Sequence, residues 1–255
     1  QGRQRAPAGR VMSTFGAIFR REVAAYFATP VAYVFGVIFL FLTGIFTFYM
    51  GDLYGRGQAD LDPFFTWHPW LYLFLIPALA MRLWAEERRS GTIELLMTLP
   101  VSVWQVVLGK FFAAWFFTAI ALALTFPVWI TVNYLGDPDN GVIVASYVGS
   151  LIMAGGFLAI GSCISALTSN QVIAFVVAVV VCFLFTVAGL PMVLDVFSGW
   201  APQAVVDTIS SFSFLTNFQD MTKGVIDLRN LVYFASLIAL WLFVNVAVVE
   251  SRKGA

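Results

Sequence analysis

Long apolar runs alternate with short polar stretches along most of the chain. Residues 31–50 form a run of twenty without a charge, and residues 64–84 form a second apolar run, interrupted by Pro69 and Pro77 and carrying Arg82 near its end. A third run covers 103–135; its first turns, up to Lys110, are assigned to a membrane interface, which leaves 106–135 as the span. Further runs cover 142–167, 172–194 and 231–249. A bilayer needs ~20 helical residues per crossing, so the pattern predicts six transmembrane helices. Ahead of the first run, residues 13–29 read as an amphipathic helix. Phe15, Ile18, Phe19, Val23, Tyr26 and Phe27 recur at three- and four-residue steps, Arg20, Arg21 and Glu22 fall largely off that stripe, and Thr29-Pro30 closes it. Such a helix lies in the interface plane with its aromatic face in the acyl boundary. Residues 195–229 break the pattern. They are aromatic but interrupted by Ser198-Gly199, Pro202 and Gly224, and they carry Asp207, Asp220 and Asp227, which is too irregular for lipid.

Composition fits that reading. The chain has 255 residues, of which 60% are hydrophobic and 11% charged, with mean hydropathy +0.88. Soluble domains carry about 25% charged residues. The fold class expected is all-α integral membrane, with one domain over 13–255 behind a basic, structureless leader at 1–12. No cleavable secretory signal is read. In a membrane protein the zero net charge says nothing about nucleic acid, since what matters is where the charges sit; no nucleic-acid partner is expected. Cys163 and Cys182 lie inside apolar runs without a CxxC or histidine partner, so they read as small apolar filler rather than a metal site or a disulfide.

Charge sidedness supplies an orientation. With six spans both termini share a side. Arg3, Arg5, Arg10, Arg20, Arg21, Arg82, Arg88, Arg89, Lys110, Arg252 and Lys253 fall there, 11 of the 14 basic residues; Arg56, Lys223 and Arg229 fall opposite. The positive-inside rule then places the termini and the 82–102 hairpin in the cytoplasm. All nine Asp sort outside and all five Glu inside. Shifting the span count by one would destroy that partition.

The 82–102 hairpin is the dense charge cluster between two spans. It holds Arg82, Glu86, Glu87, Arg88, Arg89 and Glu94. Ser90 and Thr92 are candidate helix N-caps with Gly91 loosening the backbone between them. Glu94 falls in the first turn, where a carboxylate suits the helix dipole. Ile93, Leu95, Leu96, Met97 and Leu99 follow, and Pro100 ends the run. A short helix over 90–100 is expected across the membrane face. The run Glu86-Glu87-Arg88-x-x-Gly91-Thr92-Ile93-Glu94-x-Leu96-x-x-x-Pro100-Val101 resembles the signature of ABC-2-type transporter permeases. That resemblance covers nearly the whole chain from Met12 and implies that the hairpin is a coupling helix docking onto an ATP-hydrolysing subunit. Glu86, Glu87, Arg88, Gly91, Thr92, Glu94 and Leu95 are the contact residues it implies. Residues 195–229 resemble the broken outer helices that such permeases place between spans five and six. Phe212-Ser-Phe-Leu-Thr-Asn-Phe-Gln-Asp220 and Gly224-Val-Ile-Asp227 look like this region in gliding-motility-associated and nitrous-oxide-reductase-maturation permeases. Phe212, Phe214, Phe218, Asp220 and Asp227 are its candidate gate or partner residues.

Gly109-Lys110 is followed by Phe111, and position 104 is not glycine, so the chain contains no P-loop. Catalytic residues and cofactors are therefore expected to be none in this chain, with ATP and Mg bound by a partner ATPase. The resemblance further implies two ATPase copies, a second permease subunit in a homo- or heterodimer, and room for a periplasmic or membrane accessory protein, all in a bacterial inner membrane. A membrane hydrolase is a rival class on the strength of His68 and Ser162. Ser162, however, lies about 20 residues into its span from the outside, roughly 30 Å deep at 1.5 Å per residue, whereas His68 is expected near the outer surface beside Trp67 and Trp70. A proton-driven carrier is a second rival, but mid-span ionisable residues are missing. An exporter of amphiphilic, lipid-linked or polymeric cargo fits the apolar spans, with a mechanotransmitter that carries no cargo as the alternative.

Overall fold

A computed structural model describes residues 8–93, 101–199 and 201–251. Among these residues the chain is helical, with no strand. Helix α1 (Ala8–Ala28) carries the amphipathic stretch and begins five residues before the expected Ser13, so the structureless leader gives way to helix within 8–12. Helix α2 (Pro30–Ile45) opens with proline at its first position, where a missing N–H costs nothing. It widens into a π turn over Phe46–Met50, which closes with the Gly51 N–H on the Phe46 carbonyl at 2.7 Å.

The second apolar run is divided into α3 (Asp62–Thr66), α4 (His68–Ala80) and α5 (Arg82–Ser90). One residue separates α4 from α5. Met81 keeps right-handed angles (φ −55°, ψ −26°), and its N–H reaches the Pro77 carbonyl at 2.8 Å. The two helices thus form one kinked rod rather than an unbroken span. The third run also divides, into α6 (Val103–Ala123) and α7 (Phe126–Leu135). Pro127 accounts for that break, because it lacks an N–H and its ring crowds the carbonyl four residues back. Thr125 covers the gap, donating to the Leu122 carbonyl at 2.6 Å and sharing a hydrogen bond with Tyr147 at 3.0 Å.

Helix α8 (Asn140–Leu167) starts on an Asp139 cap and α9 (Gln171–Val187) on an Asn170 cap. After α9 the chain turns by 74° into α10 (Pro191–Ser198), continues through α11 (Gln203–Ser211) and α12 (Phe214–Thr222), and ends in α13 (Leu228–Ser251). Among the described residues four helices are long and apolar enough to cross a membrane: Ala32–Met50, Val103–Leu135, Asn140–Leu167 and Leu228–Ser251; the bent α9–α10 pair makes a fifth if it is one span.

Helix α8 is the axis. It is buried along most of its length and packs against α4, α5, α6, α9, α12 and α13. Small residues permit this. A Cβ at Gly161 would stand 2.6 Å from the Ala80 Cβ, and one at Gly149 would stand 2.8 Å from Met221. Close backbone approach of this kind is how membrane helices pack without a hydrophobic driving force between them. Outward faces are apolar instead: Val37 and Phe41 on α2, Val176 and Leu184 on α9, and Leu240 and Phe243 on α13 are all exposed. In water such a surface would be an aggregation liability; acyl chains solvate it.

His68 departs from expectation. It is fully buried rather than interfacial, caged by Phe39, Phe64 and Phe65. Its Nδ1 lies 2.8 Å from the Ser150 Oγ, which also lies 2.8 Å from the Tyr72 hydroxyl. Ser162 bonds elsewhere, accepting from Trp84 Nε1 at 3.3 Å and Asn245 Nδ2 at 2.8 Å. Both serines stitch α8 to its neighbours.

Candidate functional site

Helix α5 carries the charged hairpin, and its placement begins at the kink. Ser165 of α8 inserts there. Its hydroxyl donates to the Met81 carbonyl at 2.8 Å and accepts from the Trp84 and Ala85 N–H groups at 3.1 Å each. A side chain inserted into the ladder is a recognised cause of a kink, and here the same group satisfies the first free donors of α5. Trp84 is fully buried, and its indole bonds Ser162 one turn away on α8. The root of α5 is therefore fastened to the axis of the bundle by two serines.

The far end of α5 is closed locally. Gly91 sits in the left-handed region (φ +73°), and its N–H reaches the Arg88 carbonyl at 3.3 Å. The Ser90 hydroxyl donates to the Glu86 and Glu87 carbonyls at 3.0 and 3.3 Å, and that of Thr92 reaches the Glu87 carbonyl at 3.4 Å. These bonds give the two hydroxyls a role at the end of α5 that the N-cap expectation did not include. Ser90 is the last residue of α5, and both hydroxyls serve its C-terminal carbonyls. Arg88 and Arg89 in the last turn complement the negative end of the dipole. Of the expected helix over 90–100, Thr92 and Ile93 are helical; residues 94–100 lie outside the described residues, and Glu94 and Leu95 with them.

Along α5 the charges divide by face. Glu86, Arg89, Ser90, Gly91 and Thr92 are exposed, and Arg82 lies 3.9 Å from Glu86. Glu87 turns inward instead. Its Oε1 lies 2.7 Å from the Nζ of Lys110, on the second turn of α6. That Nζ also lies 3.2 Å from the Glu22 Oε2 of α1 and 5.5 Å from the centroid of the Trp84 ring. Glu22 in turn pairs with Arg21. The Lys110 side chain is 3% exposed and that of Glu22 12%, so these pairs are shielded far better than surface ion pairs. A cleft of about 220 Å³ opens beside them, lined in part by Tyr26, Arg82 and Glu86.

Glu22 thus points into α6 rather than away from the apolar stripe. Sequence reasoning read Lys110 merely as an interface charge; in the structure it joins carboxylates of α1 and α5. The available signal was its isolation as the one charge in a 33-residue apolar run. Burial pushes the Glu22 carboxyl up, but the Lys110 charge and the Arg21 hydrogen bond outweigh it and hold the group below its ordinary value of 4.5. A depressed folded pKa contributes stability that is complete above the ordinary value and fades as pH falls through the depressed one. The α1 amides should therefore exchange hydrogen faster below the carboxylate range, after correction for intrinsic rates. Glu22→Gln should remove that pH dependence.

The opposite end of the bundle collects aspartates. Asp60, Asp62 and Asp139 converge with Thr222 around a cleft of about 280 Å³. The glutamate cluster and the aspartate cluster thus occupy different ends, as the charge sorting requires.

A sequence model of the family described as ABC-2 family transporter protein matches residues 17–251. The chain belongs to the ABC-2 transporter family. No curated protein matches it. As an ABC-2 permease it is a multi-pass membrane subunit of an ABC transporter, a family that works with an ABC ATPase subunit. The match runs from within α1 to the end of α13, so the α5 hairpin, Lys110 and the outer helices all belong to the shared domain.

In this ABC-2 permease the outer segment is only partly a surface. Phe214 and Phe218 are buried in the core, with Phe214 against Phe157 and Phe234 at centroid distances of 4.6 and 5.7 Å. Helix α12 runs antiparallel to α8, with Phe214 beside Gly156 and Met221 beside Gly149. Ser213 ties its start to the Thr186 carbonyl of α9 at 3.1 Å. Among the candidate gate residues, Phe212, Asp220 and Asp227 are exposed, whereas Phe214 and Phe218 are core, because the apolar stripe of α12 faces α8.

Proposed function

We propose that this ABC-2 permease supplies half of an export pathway, driven by a separate ATPase that docks on the exposed edge of α5 from the cytoplasm. The observation that carries this is the pairing of an exposed charged tip (Glu86, Arg89, Ser90, Gly91, Thr92) with a buried root held by Ser162 and Ser165. A lever needs both a free end and a fixed end. ATP-driven closure of two ATPase subunits pushes two such tips, and the kinked rod conveys the push to α8. Two permease subunits, identical or not, complete the pathway, with both termini on the ATPase side of an inner membrane.

The apolar faces of the bundle favour amphiphilic, lipid-linked or polymeric cargo over a small ion. A second reading, of the gliding-motility-associated or nitrous-oxide-reductase-maturation type, makes the subunit a mechanotransmitter for a periplasmic partner. The exposed apolar residues Val225, Ile226 and Leu228 at the aspartate end favour it. Purification from native membranes decides among these. A co-purifying ABC ATPase with lipid or glycan supports export, and a large periplasmic protein in place of cargo supports the second reading. Absence of any ATPase rejects both.

A further inference from the structure

The three elements that meet at Lys110 differ in how they are held. Helices α1 and α6 form an extensive pair. Phe15 meets Phe112 at 6.3 Å, Phe19 meets Phe116 at 5.9 Å and Tyr26 stacks on Phe117 at 5.3 Å. Ile18 fills the space over Gly109, where a Cβ would come within 2.7 Å of it. Helix α5 instead packs along α8, α9 and α4. It reaches the α1–α6 pair through long side chains, with Glu87 on Lys110 and Lys110 over Trp84.

From this we infer that Lys110 is a positioning residue, the clamp that makes the α1–α6 pair follow α5 when the ATPase moves it. This rests on the reading of α5 as the docking lever. The chemistry suits a clamp. One ammonium carries three donors, and here it meets carboxylates from two separate elements in a shielded site. Removing the cation would leave Glu87 facing Glu22 with only Arg21 still paired to the latter, which takes away the one charge that bridges α1 and α5 and loosens them from each other. Through the clamp the interfacial helix would join the power stroke, carried with the α6 face on which its aromatic side chains pack.

Spin labels at Ala24 on α1 and Arg89 on α5 test this in the full complex with its ATPase in nanodiscs. Both sites are exposed and the native Cys163 and Cys182 are buried. With Lys110 present, the interlabel distance distribution should be narrow and the same in nucleotide-free and ATP–vanadate-trapped states. In Lys110→Met it should broaden without nucleotide and shift on trapping, and Lys110→Arg should restore the narrow distribution. If Lys110→Met does not assemble, Glu87→Gln serves, since it removes one arm and keeps the shape. An unchanged distribution in the assembled variant, or no rescue by arginine, overturns the clamp. Failure of the docking reading looks different: no ATPase co-purifies, while the nucleotide-free comparison still decides whether Lys110 holds α1 to α5.

Discussion

Replacing Gly91 by proline should abolish stimulation of the partner ATPase, by about tenfold or more, equivalent to ~1.4 kcal/mol or more of transition-state coupling. The reason lies in the backbone. Gly91 holds φ +73° and donates its N–H to Arg88. Proline fixes φ near −65° and has no N–H to give, so the closing turn of α5 cannot form. A Cβ at this position would meet no neighbouring group within 4 Å, so the cost of a side chain here is the local backbone strain alone. Gly91→Ala should therefore be graded, costing about 1–2 kcal/mol for the left-handed conformation and weakening coupling partially. ATP hydrolysis by the reconstituted complex, measured beside the isolated ATPase, reads both variants. Full stimulation in Gly91→Pro would remove this turn from the coupling route.

The second large effect is expected at the root. Ser165→Ala strips partners from the Met81 carbonyl and the Trp84 and Ala85 N–H groups. Each buried group left unsatisfied costs about 1–3 kcal/mol. The ladder can recover part of that by straightening, so a net loss of about 2–4 kcal/mol is expected. Two readouts should move together: the temperature at which the detergent-solubilised complex aggregates should fall, and ATPase stimulation should fall further than stability alone accounts for. Ser165→Thr keeps the hydroxyl and should retain both. If alanine leaves stimulation intact, the kink is an incidental bend and not the fulcrum.

Much of this architecture was legible in the sequence for physical reasons that can be named. Lipid forces backbone polar groups into helices, so the apolar runs marked where helices lie. The sorting of Glu22, Glu87 and Lys110 to one end and of Asp60, Asp62 and Asp139 to the other survives in three dimensions. What stayed hidden is pairing across elements. Ser165 carries no signal in the sequence, because no periodicity says that its hydroxyl meets a kink 84 residues away. His68 looked like an interfacial residue because its neighbours in sequence are tryptophans; its neighbours in space are Phe39, Phe64 and Ser150. Ser90-Gly91-Thr92 was read from one side alone. Hydroxyl residues flanking a glycine can open a helix or close one; here they close α5 on a left-handed Gly91, and the chain is helical again at Thr92 and Ile93.

The central claim is that the tip of α5 faces the cytoplasm and bears on a nucleotide-hydrolysing partner. A photocrosslinker at Thr92, which is exposed just beyond that tip, tests it in intact cells and in inverted membrane vesicles. The account predicts an adduct with the ATPase subunit whose yield changes between nucleotide-free and vanadate-trapped states. An adduct with a periplasmic protein, or none with any ATPase in either state, would contradict it.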